Sequence, residues 1–162
     1  MVILMKTSDI FKELRDKARL YYDSVNEVYC PALEARVIFN AEGFHHLRYN
    51  CSLSERSKPE QRNKLAYIPQ AVEIIKKTTT VQEVREFLEP VGLKDKNGLR
   101  KTAHVTYFGF WAMLEKNIRI KVIVRRIDGG QYFFRSLMPF WFERVVNGRI
   151  VRYFTSPKIS TE

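Results

Sequence analysis

The chain has 162 residues, 45% of them hydrophobic and 13% aromatic, which is enough for one cored domain and too much for wholesale disorder. Its net charge of +10 is uneven: residues 1–97 carry 16 basic and 14 acidic groups, residues 98–162 carry 12 and 4, which favours a localised polyanion footprint, with RNA the first candidate. Two cysteines make no disulfide scaffold, no apolar run is long enough to span a membrane, and no secretory signal is read, so a reduced, cytoplasmic chain is expected.

Ser8 and Asp9 are N-cap candidates, and Ile10, Phe11, Leu14, Ala18 and Tyr21 recur at helical spacing after them. The pattern predicts an amphipathic helix over about 9–24. Pro31 interrupts the next segment, and 36–40 reads as a strand that Asn40 stops. Residues 48–60 read as an exposed loop. A helix over about 60–77 should bury Leu65, Ile68, Val72 and Ile75 and break near Pro69. Thr80-Val81-Gln82-Glu83 fits a capping box and predicts a short helix ending near Pro90. Asp95-Lys96-Asn97-Gly98 is a turn signal.

From Thr102 the character becomes β. Strands are predicted over 105–114, 118–127 and 131–138, the last two joined through Asp128-Gly129-Gly130. Asn147-Gly148 predicts a hairpin between 142–146 and 149–154, with Glu143 opposite Arg152 as a cross-strand ion pair. The order predicts an α+β fold: N-terminal helices packed on a C-terminal antiparallel sheet of about four or more strands. One domain should span 1–162, with 1–29 as a helical appendage and 157–162 as a frayed tail. No glycine-rich phosphate loop is present.

Two of the three histidines, His45 and His46, adjoin at the exit of the predicted strand, with Arg48 just beyond. Histidine titrates near neutrality and suits proton transfer. An extended or irregular segment would present His46 and Arg48 together to a phosphate, one moving the proton and the other stabilising charge. RNA cleavage of this kind needs no metal, because the 2′-hydroxyl is an internal nucleophile. Cys30, His45, His46 and Cys51 are all ligand types, but the paired spacing of structural zinc sites is missing, so neither metal nor cofactor is expected. In the strand 118–125, alternation puts Arg119, Lys121 and Arg125 on one face. Arg135 beside Ser136 adds to it, with Tyr132, Phe133 and Phe134 interleaved. Such a face suits phosphate binding and base stacking.

Several of these segments form a pattern: Phe39-Asn-x-x-Gly-Phe-x-His-Leu47, a polar loop, and a helix with Arg62 near its start. Tyr-Phe-Gly-Phe-Trp-Ala (107–112), Lys-Val-Ile-Val-Arg (121–125) and Phe-Arg-Ser-Leu-Met-Pro (134–139) follow. Over roughly 30–140 the chain resembles the phage-associated branch of the barnase–EndoU–colicin–RelE-like nuclease superfamily. The resemblance implies helices on a four-stranded antiparallel sheet. It also implies a metal-independent endoribonuclease of toxin or mobile-element type that leaves a 2′,3′-cyclic phosphate. It places His46 in the active site and matches Ser136 to the polar residue of a late strand that often completes it. Arg48 and Arg62 would then hold the scissile phosphate, and Arg119, Lys121, Arg125 and Arg135 the flanking ones. His45 is an extra histidine that the pattern does not require, and the choice between the pair stays open. The alternatives are a non-catalytic RNA- or DNA-binding module on the same basic face, and an interaction protein meeting an acidic partner such as a neutralising antitoxin.

Overall fold

A computed structural model describes residues 6–115, 118–140 and 142–153. Helix α1 (Thr7–Val25) starts from Lys6, which makes no side-chain cap, and Ser8 and Asp9 lie inside its first turn. It is no appendage. Tyr22 is fully buried, sits edge-on to Phe39, Phe44 and Phe134, and donates its hydroxyl to the Asn40 carbonyl at 2.7 Å. Burial pushes the Tyr22 hydroxyl pKa well above its ordinary value.

A short hairpin follows, β1 (Glu27–Cys30) and β2 (Ala35–Ile38), turning through Pro31 with Glu34 at φ 51°. Helix α2 (Ala41–Arg48) begins immediately, capped by Asn40, whose side chain accepts from the Gly43 N–H at 3.0 Å. Helices α3 (Lys58–Ala66) and α4 (Ile68–Lys77) meet at Tyr67, so the predicted break occurs, and Leu65, Ile68, Val72 and Ile75 are all buried. Pro69 stands in the first turn of α4, where its missing N–H costs nothing.

The predicted helix after Thr80 is instead a strand, β3 (Glu83–Val91), paired along its length with β4 (Lys101–Glu115). Val84, Phe87, Leu88 and Val91 have helical spacing, but the long β4 supplies a nine-residue ladder that outweighs this local preference. Asp95 shapes the connecting turn by accepting from the Asn97 and Leu99 N–H groups. Strands β5 (Ile118–Ile127) and β6 (Tyr132–Phe140) complete the sheet in the order β1-β2-β6-β5-β4-β3. The sheet is mixed: β2 runs parallel to β6, through Val37–Tyr132 and Ile38–Phe133, and every other pair is antiparallel.

A separate hairpin, β7 (Phe142–Val146) and β8 (Arg149–Tyr153), turns through Asn147 and Gly148, both at positive φ as a two-residue turn requires. Its register sets Glu143 opposite Arg152; their side chains, Phe154 and the expected tail 157–162 lie outside the described residues. The core joins α1, α2, α3 and α4 to one face of the sheet, where Phe110, Ile120, Val122, Val124, Phe134 and Leu137 are buried. This is the expected α+β arrangement, with more strands than the minimum and one parallel pair. No helix among the described residues is long and apolar enough to cross a membrane.

Candidate functional site

His45 and His46 lie on α2, not on an extended segment. Residues two apart on a helix point nearly opposite ways, whereas those four apart share a face. His46 therefore shares a face with Glu42 and parts company with Arg48. Arg48 turns to the following loop, where its Nε donates to Gln61 Oε1 at 3.2 Å and its Nη2 lies 3.6 Å from Glu55. His45 is exposed and stacks on Tyr49, ring centroids 4.4 Å apart. It borders a shallow cavity of about 400 Å³ with Arg19, Ala41, Glu42, Phe44 and Arg48.

The Glu42–His46 face meets the other cations. Glu42 Oε1 accepts from Arg125 Nη1 at 3.2 Å and from Arg135 Nη1 at 3.1 Å, so two guanidinium groups converge on one oxygen. Both arginine side chains are mostly buried, and Arg125 Nε is enclosed with no acceptor among the described residues. A β-bulge arranges this. Phe134 faces Val124 and Ser136 faces Ile123, which leaves Arg135 as the extra residue. Ser136 itself is buried, on the sheet face that carries Lys121 and Arg125.

His46 is half-buried, and its pKa is pushed down to about 3, first by burial and then by the charges of Arg135, Arg56, Lys64 and Arg125. It is neutral at pH 7. Arg56 reaches it through the backbone, donating from Nε to the His46 carbonyl at 3.2 Å, and its Nη1 pairs with Glu60 at 2.7 Å. Lys64 is buried in α3 and donates Nζ to the Leu137 carbonyl at 2.9 Å. Arg62 is on the exposed side of α3, away from the buried Gln61, Lys64 and Leu65.

The rest of the basic sheet face is balanced by carboxylates. Lys121 Nζ is 2.8 Å from Glu83, which Arg85 also meets at 2.7 Å. Burial raises the Glu83 pKa, but these two cations outweigh it and leave the net shift downward. Gly109 makes the Lys121 reach feasible, since a Cβ there would stand 3.0 Å from Glu83 Cβ and 3.1 Å from Lys121 Cε. Glu89 accepts the Tyr107 hydroxyl at 2.7 Å and lies 3.9 Å from Arg125. Arg119 lies over the Trp111 ring at 4.5 Å and Lys121 at 5.3 Å. Phe134 belongs to the core and Tyr132 packs on Phe108, so neither is a free stacking platform.

Glu42, Arg56 and Lys64 are absent from the sequence reading of the site. Lys64 and Gln61 did leave a signal: both fall on the apolar stripe of their helix, where a polar residue must find a buried partner. Cys30 is buried in the core and Cys51 is exposed in the loop after α2. No group of three or more metal-ligating side chains gathers among the described residues. Comparisons with family models, with curated proteins and with solved structures found no match.

Proposed function

We propose that this protein binds RNA at the Glu42–His46 face and cleaves it by transesterification to a 2′,3′-cyclic phosphate. One observation carries the reading: two partly enclosed guanidinium groups, Arg125 and Arg135, already hold a single anionic oxygen, with His46 one helical turn along. The Glu42 side chain is 63% exposed and can swing out. A phosphate oxygen taking its place would accept from the same two charged donors. His46, neutral at pH 7, then takes the 2′-hydroxyl proton. The 2′-oxygen attacks phosphorus as the P–O5′ bond breaks, the 5′-oxygen takes a proton from solvent water as it leaves, and His46 gives its proton back to solvent. Arg125, Arg135 and Lys64 offset the charge that builds on the phosphorane.

The resemblance to the phage-associated nuclease branch points the same way and rests on the short motifs quoted above. It supports a toxin or mobile-element role, with an inhibitor protein as partner. Arg48 and Arg62 do not contribute to the oxygen site as built, and Ser136 is buried beside Arg135, across from Ile123.

The test is incubation with total RNA in excess EDTA, beside His46→Ala. Fragments with cyclic ends are expected, reduced by about 10²–10⁴-fold in the variant. Intact RNA with salt-dependent gel shifts would replace cleavage by a binding module.

A further inference from the structure

We propose that β3 is a dimer interface, at which a second copy of this chain adds its own β3 antiparallel to the open edge of the sheet. The strand order ends on β3, so its outer N–H and C=O groups face no strand among the described residues. Such an edge is a template for pairing unless it is covered. The strand is nine residues long and carries three exposed apolar side chains around the exposed Glu86: Val84 is 54% exposed, Phe87 44% and Leu88 76%.

Its residue order selects the partner. An antiparallel pair of identical strands has a two-fold axis at one residue, and residues equidistant from that centre face each other. Centring on Glu86 sets Glu86 against itself and Glu83 against Glu89. Centring on Arg85 sets Arg85 against itself. Centring on Phe87 sets Arg85 opposite Glu89 twice, Phe87 opposite Phe87, and brings Leu88 diagonal to both Val84 and Leu88 of the other copy. Opposite charges are thus matched in one register, Phe87 meets Phe87, and Leu88 lies across from Glu86 with its apolar contacts on the diagonals. Pro90 falls near the end of the run, where a missing donor weakens the ladder least. The axis stands perpendicular to the sheet, so both Glu42–His46 sites open on the same face of a twelve-stranded sheet.

Sedimentation of the full chain should give a dimer mass. Arg85→Glu and Glu89→Arg should each weaken self-association by about tenfold or more, because each replaces two attractions by two repulsions. Mixed together, the two variants should form a heterodimer, since both cross-strand pairs become opposite in charge again. Because both residues also contact their own chain, a second measurement fixes the register. Phe87→Cys in a Cys51→Ser background should cross-link to itself on oxidation, and Val91→Cys should not. A monomeric parent at every concentration, a dimer unaffected by both charge variants, or cross-linking at 91 in place of 87 overturns the proposal.

Discussion

A Gly43→Ala variant should unfold about 1–3 kcal/mol more easily than the parent, although alanine in a helix normally stabilises by about 1 kcal/mol over glycine. The reversal comes from where α2 lies. A Cβ at Gly43 would run into the Tyr22 hydroxyl and stand 2.6 Å from the Phe134 carbonyl oxygen. Neither neighbour can retreat. Tyr22 is held by its hydrogen bond to Asn40 and by three aromatic rings, and the carbonyl belongs to the β6 backbone. The helix must lift off the strand, and it carries Glu42 and His46 with it. Urea unfolding checks this through a lower midpoint at unchanged slope; a midpoint that rises would show that α2 does not sit this close. Tyr22→Phe removes one of the two collisions. Alone it should cost about 0.5–1.5 kcal/mol for the lost hydrogen bond. Combined with Gly43→Ala it should cost less than the sum of the two.

The second large effect is on pH dependence. In the unfolded chain His46 titrates near its ordinary value of 6.5, whereas folded His46 titrates at about 3. Between those values the unfolded chain binds a proton that the folded protein refuses, so stability falls as pH falls through that window. At pH 5 the contribution is about 1–2 kcal/mol relative to pH 8, allowing for the partial exposure of the ring. His46→Gln should remove that part of the acid sensitivity, visible as a flatter stability profile between pH 8 and 5. An unchanged profile would mean that His46 is not held neutral.

How much of this was legible depends on whether the deciding contact was local. The break between α3 and α4, the buried stripe of Leu65, Ile68, Val72 and Ile75, and the Asn147-Gly148 turn follow from neighbours in sequence, and all are present. β3 is decided by a partner strand some twenty residues away, and its helical spacing of Val84, Phe87 and Leu88 points the wrong way. The histidines illustrate the same limit. Asn40 can end a strand or cap a helix, and here it caps α2 while β2 stops at Ile38, so the placement of His45 and His46 turned on a segment too short for periodicity to settle. The pairing of Arg135 with Glu42 depends on a bulge and on β6 lying beside α2, neither of which alternation along one strand reveals.

The parallel contact of β2 with β6 also bears on when the site can exist. Val37 and Tyr132 pair across about 95 residues of chain, and α2 follows directly from β2. Contacts this distant in sequence close late, because the entropy of the intervening loop must be overcome first. During synthesis α2 emerges before the β6 backbone that seats it, with neither guanidinium group beside Glu42 and His46. The cluster of Glu42, Arg125 and Arg135 assembles only when β5 and β6 dock, and it is missing until that late contact forms.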